Sequence, residues 1–259
     1  MPCRRAQLIL WLAISFFVFP LRSTATDKPT WSKQGTDFRA GCSIEEKNNC
    51  KPVRIPSPDG NAAIVISYKS PAKYPAIVLA SIRVMTRAKI LGEVPLAASV
   101  ENEIVWSPDS KAFSVTGNEN ASGEEHVFVY MLDRPRLGPG NITDQVARDM
   151  ARTFPACKAS NPVEDCAQYE KNPADYIGTS GIDWVGDSSR IVVMAQVPCS
   201  SVMGGIMCQV KGYEIEVPSG KILLRMTARE FAKKWQHSMA WKFQIPDPPE
   251  YAKQTSKAN

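Results

Sequence analysis

Residues 104–113 read IVWSPDSKAF, and an altered copy of this stretch stands on each side of it. The upstream copy is residues 55–64, IPSPDGNAAI, and the downstream copy is residues 182–191, IDWVGDSSRI. In the central copy, Ser107 and Pro108 suit the first two positions of a type I turn, because proline fixes φ near the value that the second position requires. Each copy therefore predicts two strands joined by a tight turn, and a unit that recurs three times indicates a repeat architecture.

Further strand patterns follow each turn. The apolar runs are residues 62–68, 76–85 and 90–94 after the first turn, 112–116 and 126–132 after the second, and 191–195, 212–217 and 222–226 after the third. The run 126–132 is apolar on both alternating faces, with Val127 and Val129 on one and Phe128 and Tyr130 on the other. Such a strand needs packing on both sides, which stacked neighbouring sheets would provide.

Short amphipathic helices are predicted after the second and third units. Apolar residues recur there at four-residue intervals, namely Val146, Met150 and Phe154, then Phe231 and Trp235. Thr227 and Glu230 have the spacing of a capping box, in which each residue bonds the backbone of the other. One apolar stripe needs only one surface to lie on, so we expect these helices to be packing covers. Residues 156–181, between the second and third units, are interpreted as an insertion.

Residues 1–25 have the form of a secretory signal peptide. Arg4 and Arg5 supply a basic head, residues 8–21 are apolar, and Ser23 and Ala25 are the small residues that precede a cleavage site. The apolar stretch is roughly 14 residues long, whereas a membrane-spanning helix needs about 20. We therefore expect a periplasmic or secreted protein with no transmembrane span after cleavage. Residues 26–245 are predicted to form a single propeller-like β domain, followed by a polar tail at 246–259.

The charge of the chain argues against a nucleic-acid partner. The full sequence has 31 Lys and Arg against 26 Asp and Glu. Cleavage would remove Arg4, Arg5 and Arg22 and no acidic residue, which leaves 28 cations against 26 anions. Nucleic-acid binding normally needs a clustered basic face, which this balance does not indicate.

The cysteines indicate disulfides in an exported chain. Six remain after the loss of Cys3, in three neighbouring pairs: Cys42 with Cys50, Cys157 with Cys166, and Cys199 with Cys208. An even set in an exported protein favours disulfides, although six cysteines allow 15 connectivities and the local pairing is chosen on spacing. No pair has the short gap of a zinc site, and only His126 and His237 could assist. The sequence therefore predicts no metal and no cofactor.

Residues 104–143 resemble a blade of the TolB-type and Trp-Asp-repeat β-propellers. The resemblance lies in residues 106–111, 113–114 and 127–130 and in Thr143, and the third unit shares it through Trp184 and residues 213–215 and 219–221. The first unit matches through residues 56–60 and has no tryptophan. The resemblance implies a mostly β fold, a propeller-like array of antiparallel four-stranded sheets with short helices after blades two and three.

The blade count departs from that family, because propellers usually have four to eight blades and three are recognisable here. Three arrangements stay open. Residues 26–50 are polar and irregular in sequence, and we name them the N-terminal arm. This arm and the segment around Trp241 could supply a cryptic fourth blade, the chain could form an open arc, or two chains could complete a ring as a homo-oligomer.

No catalytic motif stands in the sequence. His126 flanks a strand and His237 follows a helix, while Asp183 and Asp187 lie at a turn where aspartates commonly bond their own backbone. Two function classes remain. The resemblance implies a non-enzymatic binding or scaffold module of the cell envelope, with another envelope or secreted protein as its partner. The alternative is an exported hydrolase or lyase whose site is built from separate blade loops.

Overall fold

The structure is a computed structural model that describes residues 31–39, 41–43, 51–69, 77–86, 89–94, 101–118, 125–133, 139–153, 173–198 and 206–242. Its strands are β1 Thr36–Phe38, β2 Gly41–Ser43, β3 Val53–Pro56, β4 Ala62–Lys69, β5 Ile77–Thr86, β6 Ile90–Val94, β7 Asn102–Trp106, β8 Ala112–Asn118, β9 Glu125–Met131, β10 Pro139–Asn141, β11 Gly178–Trp184, β12 Arg190–Gln196, β13 Val210–Glu216 and β14 Ile222–Thr227. The α-helices are α1 Thr143–Ala151 and α2 Ala228–Trp235, and 3₁₀ helices cover Pro173–Tyr176 and Gln236–Ser238.

These strands form three antiparallel sheets, named blades 1, 2 and 3 in chain order. Blade 1 contains β3, β4, β5 and β6, with β2 also paired to β5. Blade 2 contains β7 to β10, with β1 added at the free edge of β7, and blade 3 contains β11 to β14. The prediction of a mostly β array of four-stranded units is confirmed. The insertion predicted at residues 156–181 extends too far, because β11 of blade 3 already begins at Gly178.

The repeated turn joins the first and second strands in every blade. In each, the residue that ends the first strand pairs with the residue seven positions later: Pro56 with Ala63, Trp106 with Phe113, and Trp184 with Ile191. In blades 1 and 2 a serine hydroxyl closes the turn, since Ser57 Oγ accepts from the Ala62 N–H at 2.9 Å and Ser107 Oγ from the Ala112 N–H at 3.0 Å. Blade 3 has Val185 at this position and turns through Gly186, whose φ is +77°.

The turns also bond one another from blade to blade. The Asp59 N–H of blade 1 donates to Ser110 Oγ of blade 2 at 3.0 Å. Ser188 of blade 3, which occupies the same turn position as Ser110, donates its hydroxyl to Asp109 Oδ2 of blade 2 at 2.9 Å. The same corner therefore fixes both neighbouring pairs of blades.

Apolar side chains fill both spaces between blades. Ile64 and Ile82 of blade 1 pack with Trp106 and Phe113 of blade 2. Trp184 of blade 3 enters the next interface and donates its indole N–H to the Val105 carbonyl of blade 2 at 3.2 Å. Both tryptophans thus end the first strand of their blade and face the preceding blade, as a repeated unit requires.

The two helices pack at different places. In α1, Val146 and Met150 are buried between blades 2 and 3, while Phe154 of the predicted stripe lies outside the described residues. In α2, Phe231 and Trp235 are buried against blade 3. The predicted capping box of α2 is present, because Thr227 Oγ1 accepts from the Glu230 N–H and the Glu230 carboxylate accepts from the Thr227 N–H.

The three sheets do not close into a ring. The face of blade 3 that points away from blade 2 carries Val192 and Met194, and α2 covers it together with Trp31 and Met239. Within the described ranges, the N-terminal arm adds β1 to blade 2 and β2 to blade 1 rather than forming a fourth blade. A terminal sheet face covered by a helix protects apolar surface that another blade would otherwise bury.

Candidate functional site

A basic cleft lies on the outer rim of blade 3, between helix α1 and the outermost strand β14. Its volume is about 460 Å³. The described residues that line it are Gln145, Arg148, Asp149, Arg152, Lys221, Ile222 and Arg225. Four of these side chains are cationic and one is anionic, so the cleft has an excess of positive charge. We name this site the rim cleft.

Both walls of the rim cleft are set by packing. The apolar face of α1 is buried through Val146 and Met150, which turns Arg148 and Arg152 outward on the opposite side. The facing wall follows the turn between β13 and β14, where Gly220 has a φ of +73°. A Cβ at Gly220 would stand 2.9 Å from the Gln145 amide nitrogen, so glycine permits the close approach of the two walls.

An ion pair at the back of the rim cleft fixes the position of Arg225. Its guanidinium donates to Asp149 from Nε at 2.9 Å and from Nη2 at 2.7 Å. These bonds lower the pKa of Asp149 and, in turn, raise that of Arg225. Because a bidentate pair holds both side chains in one geometry, Arg225 is oriented before any ligand arrives.

Tyr213 and Lys211 lie beneath this ion pair. Tyr213 is fully buried, and its hydroxyl has no hydrogen-bond partner in normal bonding geometry among the described residues. Burial, followed by the negative charge of Asp149, raises the pKa of Tyr213. Burial also lowers the pKa of Lys211, whose ammonium donates to Thr153 Oγ1 at 2.6 Å. Polar groups therefore lie behind Asp149, whereas the Arg225 side chain itself is exposed.

A second polar cluster lies at the inner edge of blade 2. The Glu103 side chain is fully buried, and its two oxygens accept the backbone N–H groups of Trp31 and Ser32, each at 2.9 Å. Asp37 lies directly across from Glu103 in the pairing of β1 with β7. The pKa of Glu103 is raised to about 8, mainly by burial and in smaller part by the Asp37 carboxylate, against the effect of the two N–H donors.

The carboxyl pair of Glu103 and Asp37 holds the N-terminal arm onto blade 2. A Cβ at Gly35 would overlap the Glu103 side chain, so the arm lies directly on the carboxyl group. The arm also contacts the segment that follows α2. The Lys33 N–H donates to the Ser238 carbonyl at 2.8 Å, and the Ser238 hydroxyl donates to Asp183. The N-terminal arm therefore covers Glu103, and the role of this carboxyl group is to hold the arm in place.

The cysteines proposed for disulfides lie largely outside the described residues. Cys42 is on β2, and Cys208 has a φ of +60° and takes part in a disulfide. Cys50, Cys157, Cys166 and Cys199 are outside the described part of the chain. The three local pairings therefore stay predictions.

The structure does not bring the histidines and acidic residues considered in the sequence into one pocket. His126 lies on β9 of blade 2, and His237 is exposed beyond α2. Asp183 is buried and bonds Ser238, whereas Asp187 is exposed and bonds the backbone of its own turn through the Ser189 N–H at 2.7 Å. In the described ranges, no three His, Cys, Asp or Glu side chains stand close enough together to hold a metal ion.

The residues of the rim cleft were not predicted as a site. Arg148 and Arg152 had a recognisable signal, since they stand four residues apart opposite the apolar stripe of a predicted helix. Lys221 and Arg225 lie about seventy residues further along, and only the packing of α1 against blade 3 brings them together. Glu103 also had a signal, because it is a charged residue inside a strand that is otherwise buried.

Comparisons with known proteins do not assign a family. No protein-family model and no curated protein matches this chain. The crystal structure of TolB from Acinetobacter baumannii is similar with a TM-score of 0.30 and 11% identity, over 67% of this chain and 32% of that chain. The chain thus spans about a third of that TolB chain. A likeness at this TM-score carries no argument, and the blade assignment depends on the strand pairing described above.

Neither α1 nor α2, nor any other helix in the described ranges, has the length and apolar character that crossing a membrane would require.

Proposed function

We propose that this protein is an exported, non-enzymatic binding module of the cell envelope, which holds a partner protein at the rim of blade 3. The observation that carries the proposal is the rim cleft, where Arg148 and Arg152 face Lys221 and Arg225 across about 460 Å³ with a single carboxylate among the described lining residues. Concave sites with a few oriented polar groups on rigid elements are typical of binding surfaces.

Exposed apolar residues beside the rim cleft support a protein partner. Leu223 of β14 is 42% exposed two residues before Arg225, whereas Leu224, 39% exposed, is on the alternate face of the strand opposite Glu214. β14 is the last strand of its sheet, so its outer edge is unpaired in the described part of the chain. Exposed leucines on an edge strand, bordered by charged residues, are a common form of protein-binding surface.

The placement of the acidic residues favours binding over the hydrolase or lyase alternative. A carboxyl pair with a shifted pKa is a frequent part of hydrolytic sites, and Glu103 with Asp37 is such a pair. Both Glu103 oxygens, however, accept backbone N–H groups, and Gly35 lies against the side chain. A substrate would have to displace the arm before it reached this carboxyl group.

A photo-crosslinking amino acid at position 223 tests the proposed surface in intact cells. We expect Leu223 replaced in this way to crosslink to one protein of defined mass, because the side chain is exposed beside the rim cleft. The matched control is the same amino acid at Lys233, an exposed position on α2 away from the cleft. The same products from both positions, or no product from position 223, would contradict the proposal.

Export is tested separately by the N-terminus of the purified protein. The basic head, apolar stretch and small residues of positions 1–25 support cleavage after Ala25. We expect the mature chain to begin at Thr26 and to be recovered from the periplasmic or secreted fraction. An intact Met1 in a cytoplasmic fraction would contradict this part of the proposal.

A further inference from the structure

We infer that the group recognised in the rim cleft is an acidic segment of the partner, whose carboxylates bind between Arg148, Arg152 and Lys221. The inference rests on the proposed function, since it names the chemistry of the protein partner that binds there.

The cations of the rim cleft are placed to hold more than one carboxylate. Arg148 and Arg152 are one helical turn apart, so their Cα atoms are separated by about 6 Å along the axis of α1. Lys221 stands on the facing wall, at the start of β14. Successive acidic side chains of an extended segment alternate in direction, which suits a site with cations on two opposite walls.

The charge of Asp149 is matched chiefly by Arg225 and more weakly by Lys211 and Arg152, so the lining keeps an excess of positive charge. Both Asp149 oxygens accept from Arg225, at 2.9 Å and 2.7 Å. A guanidinium has five N–H donors, and two of those of Arg225 are used here. The remaining N–H groups of Arg225 are held in a fixed orientation at the cleft, where an oxygen of the ligand can accept hydrogen bonds from them. Asp149 is therefore a positioning residue for Arg225.

A buried polar group lies behind the ion pair of Asp149 and Arg225. The Tyr213 hydroxyl is fully buried and interacts with the Asp149 carboxylate, and Tyr213 is not among the residues that line the cleft. Tyr213 therefore supports the position of Asp149 and does not itself contact a ligand.

Carboxylates fit this site better than densely charged phosphates. The cations of the rim cleft are divided between α1 and the wall before β14, so an extended segment can reach both walls whereas a compact phosphate reaches one. Leu223 is exposed on β14 two residues before Arg225, where it would contact an apolar side chain of the same segment. A peptide that combines glutamates with leucines can contact both the cations and the exposed leucine, whereas phosphate can contact only the cations.

The test uses the full mature protein and a fluorescent peptide of alternating glutamate and leucine, followed by fluorescence anisotropy. We expect saturable binding that weakens as ionic strength rises. The double variant Arg148→Glu with Arg152→Glu should bind at least about 100-fold more weakly, because removing each charge-assisted hydrogen bond weakens binding roughly tenfold. The matched control, Arg229→Glu with Lys233→Glu, makes the same charge change on exposed positions of α2 and should stay within about twofold.

Three further measurements separate the possible outcomes. The same peptide with glutamine in place of glutamate should not bind, and equal binding of the two peptides would overturn the inference. Inorganic phosphate and tripolyphosphate should compete weakly, and tight phosphate binding without peptide binding would also overturn it. Circular dichroism on both double variants checks that each is folded.

The crosslinking experiment distinguishes failure of this inference from failure of the proposed function. If the peptide does not bind the unsubstituted protein, and position 223 still crosslinks its partner in the Arg148→Glu and Arg152→Glu variant, the acidic segment is wrong and the binding surface stands. If the peptide binds through Arg148 and Arg152 but position 223 has no partner in cells, the anion site is real and the envelope-binding function is wrong.

Discussion

Carboxylates at the inner edge of blade 2 and at the hairpin turns are held in opposite ways. Glu103 is fully buried beside Asp37, and burial raises its pKa to about 8. Asp59 lies at the solvent-facing turn of blade 1, where the Ser57 hydroxyl and the Asn61 backbone and side chain lower its pKa to about 2. Asp109 in blade 2 is similar, because bonds from Ser107 and Ser188 lower its pKa although burial opposes them.

This difference separates the pH sensitivity of two parts of the fold. The turns use ionised aspartates as acceptors for nearby hydroxyl and N–H donors, so they keep their bonds at any pH above their low pKa values. The arm is attached through a carboxyl group that is mostly protonated at neutral pH. Attachment of the arm should therefore depend on pH in a range where the turns do not respond, and the following substitutions test that contrast.

The largest effect is expected from Glu103→Ala. This change leaves the buried N–H groups of Trp31 and Ser32 without their acceptor, and each such loss costs about 1 to 3 kcal/mol. We expect the free energy of unfolding in urea to fall by about 3 kcal/mol, since a void is added to the removal of two hydrogen bonds. Asp133→Ala, at an exposed position after β9, is the control. A loss below about 1 kcal/mol would mean that the arm is not anchored by Glu103.

The pH dependence of stability should be the next largest effect. The folded pKa of Glu103, about 8, is higher than its ordinary value of 4.5, so the folded state binds the proton more tightly. Its contribution is complete below about pH 4.5 and is lost as pH rises through 8, with a slope of at most about 1.4 kcal/mol per pH unit. Glu103→Gln removes the titrating group and should flatten this slope, although one of the two acceptor oxygens becomes an amide donor that faces a backbone N–H and lowers stability at every pH. An unchanged slope in Glu103→Gln would assign the pH dependence to another group.

The blades could be predicted because their determinants are local. Proline, serine and glycine at the corners, with apolar alternation on either side, define each hairpin within about ten residues. The capping box at Thr227 and Glu230 is equally local, and it is present in α2. The beginning of β11 was missed because Gly178, Thr179 and Ser180 lack strand-forming apolar side chains, and their burial comes from packing against blade 2.

The candidate site could not be predicted, because its residues are distant in sequence. Arg148 and Arg225 share the rim cleft only after α1 has packed between blades 2 and 3. Glu103 and Asp37 meet through the pairing of β1 with β7, and the arm that supplies β1 looked irregular in sequence. A short strand that extends the edge of another sheet has little pattern of its own, so its register is set by its partner.

Removal of the turn hydroxyl should have a smaller effect than either change at Glu103. Ser107 Oγ accepts from the Ala112 N–H at 3.0 Å and bonds the Asp109 carboxylate at 2.8 Å. Ser107→Ala should reduce the free energy of unfolding by about 1 to 2 kcal/mol, the usual range for one or two buried hydrogen bonds. Ser57→Ala in blade 1 removes the same hydrogen bonds and should match it within about 1 kcal/mol. Clearly unequal losses would show that the two turns are not energetically equivalent.

The smallest effect is expected from Asp59→Asn, and its sign is opposite to that at Glu103. The folded pKa of Asp59, about 2, is below its ordinary value of 3.8, so its contribution is present above about pH 3.8 and is lost as pH falls through 2. Near neutral pH we expect a small decrease in the melting temperature, because the amide oxygen can still accept from Ser57 and from the Asn61 N–H while the negative charge and the bond from the Asn61 side chain are lost.

Carboxyl NMR titration measures both members of the comparison in one protein. The Asp59 signal should titrate near pH 2 and the Glu103 signal near pH 8, and the Asp59 signal should be absent from the Asp59→Asn spectrum. If Glu103 titrated near 4.5, either solvent would reach the carboxyl group beneath the arm or Asp37 would hold the proton of the pair. Burial by the arm and the raised pKa therefore have the same physical cause, and one titration tests both.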